Sequence, residues 1–282
     1  MPLLTEISGL AIEVDKNAAL ILGDGCTSMP SEARLVSAIA DVIYDKEVLI
    51  DDSELYYMYR NVRKIMHEES INASGLRYDI TVIPSGLLGT EYIKTAGHHH
   101  AVDASSGLEF TEIYEVLSGR ALYLMQKLSK DRSGIEDGYF VYAKPGDKVV
   151  IPPGYGHVTI NPFNETLVMA NWVGSNWSSD YSPVCSKRGA AWYVLNCAAD
   201  DGDDGFKVSL AKLDVTEHDK LPEVIIKPNR NWSFAAEIKP EIKIAAKCLP
   251  ESLRSNLPMY LDYLTRPEAY AFLLHPELTE LL

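Results

Sequence analysis

The sequence is poor in the features that mark exported and membrane-spanning proteins. It has four cysteines in 282 residues, far apart and without a CxxC pair, so it shows no pattern of a disulfide framework. The opening stretch, MPLLTEISGLAIEVD, lacks the basic start and apolar core of an export signal. No apolar run approaches the roughly 20 residues that cross a bilayer. We therefore expect a cytoplasmic protein with reduced thiols.

Basic residues are scarce relative to acidic ones. Asp and Glu together number 40 against 26 Lys and Arg, which gives a net charge of -14. This excess of negative charge repels nucleic acid and anionic membranes, so we expect neither as a partner. The phosphate-binding motifs GxxxxGK[ST] and GxGxxG are also absent from the sequence, which excludes the usual nucleotide-binding loops.

Short β-branched and aromatic runs dominate the middle of the chain. From Tyr78 to about residue 195, runs such as YDITVIP, KVVIPP and LVMANWV alternate with Gly, Pro, Asp and Asn. Their spacing of roughly 8–12 residues is typical of a β-sandwich or barrel. The acidic stretch AADDGDDG at 198–205 is predicted to be a hinge. We predict an N-terminal arm at 1–77, a barrel at 78–197, and a linker with a C-terminal extension at 198–282.

Helical patterns flank this β-rich segment. In SEARLVSAIADVIYD, a helix capped by Ser31 would place Leu35, Ile39, Val42 and Ile43 on one face. Near the C-terminus, LPESLRSNLPMYLDYL and RPEAYAFLLHPELTELL are helical in pattern and bounded by proline. The fold class is therefore predicted to be all-β, with a helical N-terminal arm and a helical C-terminal extension.

Three consecutive histidines, His98, His99 and His100, lie within the β-rich segment. In a strand, successive side chains point to opposite faces, so His98 and His100 share one face while His99 points to the other. We expect His99 to face solvent. Two imidazoles on one face of a strand can bind a transition metal.

Two further patterns follow the histidines. Glu112 and Gly119 form E(x)6G, and the stretch from Gly146 to Asn161 reads G(x)5PxG(x)2H(x)3N, with His157 as its histidine. Together with the HxH pair, these motifs resemble those of the cupin superfamily, a double-sheet β-barrel or jelly roll. The resemblance implies a site for one divalent ion, such as Fe, Mn, Ni or Zn. The implied ligands are His98, His100, Glu112 and His157.

The choice of carboxylate is open to alternatives, because eleven residues, AVDASSGLEFT, separate His100 from Glu112. The rivals are Asp103, Glu109 and Glu115. Glu112 is preferred because its spacing to the motif glycine is intact, whereas Asp103 and Glu109 lie in a segment of loop composition. Glu115 comes three residues later and would face the opposite side of a regular strand unless a bulge intervened.

A closer resemblance covers roughly residues 30–190. The blocks ITVIPSGLLGTEYIKT, TAGHHH, TEIYEVLSGRALYLMQ and KPGDKVVIPPGYGHVTIN are similar, in this order, to those of the archaeal-type glucose-6-phosphate isomerase family. The resemblance implies a homodimer that interconverts glucose 6-phosphate and fructose 6-phosphate. The implied substrate contacts are Thr81, Thr95, the Gly97 backbone, Tyr114 and Tyr181. Hydroxyls and backbone N–H groups would then hold the phosphate, while Lys94 is expected to lie on a solvated face.

The chemistry that the resemblance implies is aldose–ketose isomerisation. A divalent ion can polarise a carbonyl and stabilise the developing oxyanion, and Glu112 is the candidate base that moves a proton through an enediol. A direct hydride shift is the rival mechanism. Thr95 and His98 are three residues apart, so in a regular strand their side chains would point to opposite faces. For both to reach the site, either Gly97 forms a bulge or Thr95 makes its contact from a loop.

Two departures from the family pattern, Trp172 and Ser179, are expected to alter the substrate contacts. Because cupins host many functions, other functions remain: a mannose-6-phosphate isomerase, a non-haem iron dioxygenase, or a non-catalytic sugar-binding cupin.

Overall fold

The computed structural model describes residues 4–45, 48, 51–199, 204–213, 221–234 and 238–281. The strands are β1 (Ile12–Val14), β2 (Leu20–Leu22), β3 (Cys26–Thr27), β4 (Glu32–Leu35), β5 (Glu54–Tyr59), β6 (Arg63–Lys64), β7 (Leu76–Ile83), β8 (Leu87–Leu88), β9 (Glu91–Tyr92), β10 (His99–His100), β11 (Glu112–Ser118), β12 (Ala121–Leu128), β13 (Gly134–Ala143), β14 (Lys148–Ile151), β15 (Tyr155–Ile160), β16 (Leu167–Gly174), β17 (Ser179–Asp180), β18 (Trp192–Asn196), β19 (Phe206–Ser209), β20 (Glu223–Pro228), β21 (Ser233–Phe234) and β22 (Ile242–Ile244).

The α-helices are short: α1 (Leu4–Ser8), α2 (Glu68–Ser74), α3 (Ser182–Ser186), α4 (Ala245–Cys248) and α5 (Met259–Thr265). The 3-10 helices are Ser37–Val42, Ile65–His67, Cys197–Ala199, Leu210–Lys212, Glu251–Leu253, Pro267–Leu273 and Pro276–Leu281. In the described part of the chain, every helix is too short or too polar to cross a membrane.

Two facing sheets form the barrel. One has six strands in the order β14-β11-β16-β7-β5-β4, and the other contains β15-β12-β13-β21, with β22 beside β13. Between them, apolar side chains from both sheets form one buried cluster that includes Met58, Val116, Tyr123, Val141 and Met169. Other members of the cluster lie two residues away on the same strands, for example Tyr114 beside Val116 and Leu167 beside Met169. This spacing is expected where one face of a sheet is buried against another. The predicted double-sheet β-barrel is confirmed.

The outer faces of both sheets are also covered. A third sheet, β19-β20-β18-β9-β8, packs over the β12-β13 face, where Trp192 and Ile226 join Leu124 and Phe140 in one cluster. The C-terminal helices cover the outer face of the six-stranded sheet. The helical pattern near the C-terminus is thus confirmed, but four strands, β19 to β22, precede it.

The helix predicted to begin at Ser31 was wrong in type. The segment starts as β4, which pairs with β5, and only then forms the 3-10 helix Ser37–Val42. Ile39, Val42 and Ile43 are buried as the helical pattern predicted. Pairing with β5 satisfies the backbone of β4, so tertiary context overrides the local helical pattern. Residues 200–203 of the predicted hinge lie outside the described residues, and the domain boundaries stay a prediction.

Candidate metal centre

Four side chains meet at one end of the barrel. One potential ligand atom from each of His98, His100, Glu112 and His157 lies within 4.8 Å of the others. His98 and His157 face each other across an antiparallel bridge, His100 ends β10, and Glu112 begins β11. Strand pairing therefore brings the motif that contains His98, His100 and Glu112 next to the motif that contains His157.

Hydrogen bonds orient the imidazoles. His100 Nδ1 lies 2.7 Å from the carbonyl oxygen of Phe110, so Nδ1 carries the proton and Nε2 keeps its lone pair. His100 Nε2 lies 3.4 Å from Glu112 Oε2, and His157 Nε2 lies 3.5 Å from the same oxygen. The Tyr114 hydroxyl is 3.1 Å from His157 Nε2. The lone pairs and the carboxylate oxygen thus converge on one point.

The donor set fits a divalent transition metal. His98 Nε2, His100 Nε2 and Glu112 Oε2 are buried without a hydrogen-bond partner in the described structure, an arrangement that costs roughly 1–3 kcal/mol per group if nothing binds them. Burial, and after it the neighbouring histidines, lower the pKa of His98 and His157 well below the usual value. Both rings are therefore neutral, the state in which imidazole binds a metal. Three imidazoles and a carboxylate suit Fe, Mn, Ni or Zn.

The carboxylate that faces the cluster is Glu112. Its Oε1 accepts a hydrogen bond of 2.6 Å from Asn171 Nδ2, which leaves Oε2 directed at the histidines. Asp103 is half-buried and accepts hydrogen bonds from Ser105 and Ser106 of its own loop. Glu115 points to the opposite face of β11, where its Oε2 accepts a hydrogen bond from the backbone N–H of Met259.

His99 lies on the opposite side of the strand from the cluster, in agreement with the alternation argument. The expectation that it faces solvent was wrong, because only 1% of it is exposed. Its Nδ1 lies 3.5 Å from Glu109 Oε2, and a Cβ at position 156 would overlap its ring, so Gly156 is required for the close approach. Glu109 is therefore turned toward His99 rather than toward the cluster.

A pocket opens beside the cluster. The five predicted substrate contacts all line it, together with Ser179 and three residues of the cluster. The lining comprises Tyr56, Met58, Arg60, Arg77, Thr81, Thr95, Ala96, Gly97, His98, Glu112, Tyr114, His157, Met169, Asn171, Trp177, Ser179 and Tyr181. Trp172 does not line the cavity; it points outward and stacks on Tyr260 with ring centroids 6.0 Å apart.

A bulge at Gly97 resolves the parity of Thr95 against His98. Lys94 pairs with Ile160, whereas His98 pairs with His157, so one extra residue lies between the two pairings. Gly97 has a φ of +80°, and a Cβ there would lie 2.5 Å from Val158 Cγ2. Only glycine fits this position.

The sequence reasoning missed three polar residues of the cavity, Arg60, Arg77 and Asn171, and also Asp79, the buried carboxylate that both arginines contact. Arg77 and Asp79 precede Thr81 by four and two residues in β7, so strand alternation from Thr81 could have placed both on the inner face. The position of Arg60 had no comparable signal, because β5 was not predicted.

Lys94 was expected on a solvated face, and this was wrong. It is 3% exposed, lies 2.7 Å from Glu91 Oε1 and donates to the carbonyl of Val42 at 2.8 Å. A buried ammonium group of this kind needs both partners to offset its desolvation. Lys94 is thus part of the barrel wall and not of the cavity.

The family model described as glucose-6-phosphate isomerase (GPI) matches residues 34–204. Three similar curated proteins are the glucose-6-phosphate isomerases of Thermococcus litoralis (26% identical, covering 43% of this chain and 57% of that protein), Thermococcus gammatolerans (27%, covering 56% and 79%) and Pyrococcus abyssi (22%, covering 66% and 89%). The chain therefore spans little more than half the length of the first of these relatives and most of the other two.

Among solved structures, the chain is similar to hazelnut (Corylus avellana) vicilin, with a TM-score of 0.33 and 14% identity over 46% of this chain and 32% of that one. It is also similar to recombinant oxalate oxidase in complex with glycolate, with a TM-score of 0.28 and 22% identity over 39% of this chain and 44% of that one. Both scores are too low to support an inference.

Proposed function

We propose, from the premise that this chain belongs to the glucose-6-phosphate isomerase family, that it interconverts glucose 6-phosphate and fructose 6-phosphate with a bound divalent metal ion. The observation that carries the proposal is the cluster of His98, His100, Glu112 and His157 in the wall of a cavity. A glycolytic or gluconeogenic role follows from these two substrates.

The metal ion, held by these four residues, would act as a Lewis acid on the substrate oxygens. Glu112 is proposed to move a proton between the two adjacent sugar carbons as a general base. Its orientation is set by Asn171, which donates to Oε1. The Tyr114 hydroxyl, 3.1 Å from His157 Nε2, is placed to donate to a sugar oxygen.

The substrate occupies the cavity beside the cluster. Thr81, Thr95 and the Gly97 backbone, which all line the cavity, bind its polar groups. Tyr181, which is 36% exposed, closes the open side. Its ring centroid lies 5.4 Å from that of His98, so a substrate held there is shielded from water near the cluster.

The protein is proposed to act as a cytoplasmic homodimer. All four cysteines are free, which suits a reducing compartment. Light scattering on the full chain should report about twice the chain mass of 31.3 kDa. A value near one chain mass contradicts the dimer without affecting the proposed reaction.

Metal analysis combined with a coupled isomerase assay tests the proposed reaction. The purified chain should contain close to one equivalent of metal, lose turnover on chelation, and recover it with Fe, Mn, Ni or Zn. Turnover of mannose 6-phosphate and consumption of oxygen are measured in parallel. Preference for mannose 6-phosphate, oxygen uptake, or tight sugar binding without turnover would each replace the proposed reaction with one of the alternatives.

A further inference from the structure

We propose that Arg60 and Arg77 form an anion subsite that binds the phosphate group of the sugar phosphate and so determines specificity for phosphorylated substrates. This inference rests on the proposed function. It differs from the expectation that hydroxyls and backbone N–H groups alone hold the phosphate, because two arginines line the same cavity as the metal cluster.

A single buried carboxylate positions both arginines. Asp79 has no exposed surface, and its Oδ2 accepts from Arg60 Nη1 at 2.8 Å and from Arg77 Nε at 2.9 Å. Its Oδ1 accepts from the backbone N–H of Asn61 at 2.9 Å. Both carboxylate oxygens are thus occupied, and the two guanidinium groups are fixed side by side.

The two arginines carry more positive charge than the Asp79 carboxylate can neutralise. One guanidinium balances Asp79, so the second leaves a net charge of about +1. In the described part of the chain, neither Arg60 nor Arg77 is in ion-pair contact with any carboxylate except that of Asp79. If the arginines served only to stabilise Asp79, one of them would be enough.

Both guanidinium groups keep N–H donors for a ligand. Arg77 uses Nε on Asp79, and its terminal nitrogens have no acceptor among the described residues. Arg60 Nη2 has only the weak acceptor Met58 Sδ, at 3.2 Å. The two side chains are 26% and 28% exposed, so they are accessible from the cavity yet partly desolvated. Forked donors of this kind suit a phosphate group.

The strand register places this subsite at a useful distance from the metal cluster. Asp79 pairs with Asn171 on the next strand, and Asn171 pairs with Tyr114 on the strand after that. Neighbouring strands lie about 4.8 Å apart, so Asp79 is roughly 10 Å from Tyr114 along this row. An extended six-carbon sugar phosphate can therefore place its phosphate at the arginines and its carbonyl end near Glu112.

The charge of the whole protein favours such a subsite. With a net charge of -14, the chain repels an anionic substrate at long range. A local cationic pair concentrates field in a cleft and offsets this repulsion. Neutral sugars would gain nothing from the pair, so it discriminates between phosphorylated and free sugars.

The test measures charge-specific binding on the metal-loaded full chain. In Arg60→Gln and Arg77→Gln, KM for glucose 6-phosphate should rise about 10-fold or more, while kcat changes less than about 3-fold. Calorimetry with sorbitol 6-phosphate should show the same loss, and binding of sorbitol should not change. Arg77→Lys should recover part of the affinity, and added salt should raise KM more steeply in the wild type than in the Gln variants.

A matched control is Arg120→Gln, because Arg120 pairs with Glu165 and does not line the cavity. It should leave KM unchanged. Each single Gln variant leaves one guanidinium on Asp79, and the Lys variant keeps the charge if a Gln variant fails to fold.

Unchanged KM and unchanged sorbitol 6-phosphate affinity in the Arg60 and Arg77 variants overturn the subsite while the proposed reaction stands. Equal weakening for sorbitol and sorbitol 6-phosphate overturns it too. A wild type that binds sorbitol 6-phosphate through these arginines without isomerising glucose 6-phosphate instead refutes the proposed reaction and keeps the subsite.

Discussion

The two faces of the six-stranded sheet use the same strands for different purposes. On the inner face, Asp79 accepts a hydrogen bond from the cavity residue Arg60, and Asn171 donates one to the cavity residue Glu112. One residue away on the outer face, Tyr78 and Trp172 belong to a large apolar cluster with Tyr260 of α5. Because side chains alternate along a strand, a shift of one position changes the role of a residue from chemistry to stability.

Glu112 and Glu115 make the same contrast within one strand. Both are 2% exposed, but Glu112 faces three histidines, whereas Glu115 receives a backbone N–H of the C-terminal region. Burial alone therefore does not identify a functional carboxylate in this protein. What distinguishes the two is the chemical character of the face that each occupies.

The largest effect is expected from the cluster itself. His98→Ala, His100→Ala or His157→Ala should each strip the metal and lower kcat/KM by at least ~100-fold, with the far-UV circular dichroism unchanged. His99→Ala should keep the metal, because His99 lies on the other face. Elemental analysis and the isomerase assay check both outcomes, and loss of metal from the His99 variant would break the comparison of the two faces.

On the outer face, Trp172→Ala should act on stability alone. The indole is fully buried and lies 4.3 Å from the ring of Tyr263, centroid to centroid, so truncation should cost about 3–5 kcal/mol in the free energy of unfolding. Urea denaturation measures this loss. Metal content and kcat per folded molecule should stay near wild type, and a large fall in either would show that α5 supports the site directly.

Glu115 should make stability fall with increasing pH. Burial, opposed by Lys148 and by the Met259 N–H, raises the pKa of Glu115 from 4.5 to about 8. The folded state thus binds the proton more tightly than the unfolded state, and this stability is complete below about pH 4.5 and lost as the pH rises toward 8.

Glu115→Gln tests this pH dependence. In the wild type, the free energy of unfolding should fall by a few kcal/mol between pH 5 and pH 8. In the variant this fall should be largely absent, as measured by urea denaturation at each pH. Glu136→Gln, on a side chain that is 49% exposed, should leave the slope intact. An unchanged slope in the Glu115 variant would assign the pH dependence to other groups.

The smallest effect is expected next to Trp172, on the inner face. Asn171→Ala removes the 2.6 Å hydrogen bond to Glu112 Oε1 and should lower kcat about 10-fold, in the range found for residues that orient a metal ligand. Its cost in unfolding free energy should be about 1 kcal/mol. A stability loss as large as that of Trp172→Ala, with kcat unchanged, would reverse the contrast between the two faces.

Local sequence was enough to predict much of the site. The HxH alternation, the seven-residue step from Glu112 to Gly119 and the motif around His157 depend on strand periodicity and turn geometry, which are properties of neighbouring residues. The same local reasoning left a bulge at Gly97 as one of two alternatives, and the strand pairing shows that the bulge is present. It also identified the barrel, because the short β-branched runs and their turn residues recur along the chain.

Burial of charged groups and long-range pairing were decided only in the tertiary structure. Lys94 is buried where the carbonyl of Val42, distant in the chain, accepts its hydrogen bond, and His99 is buried where its ring packs closely on Gly156. β4 is a strand because β5 lies beside it.

Sequence alone thus determined which residue types share a face. Which faces meet was determined by packing, since contacts between residues far apart in the chain depend on the whole fold. The proposed subsite is the clearest case, because Arg60 and Arg77 reach one carboxylate only once β5 and β7 are paired.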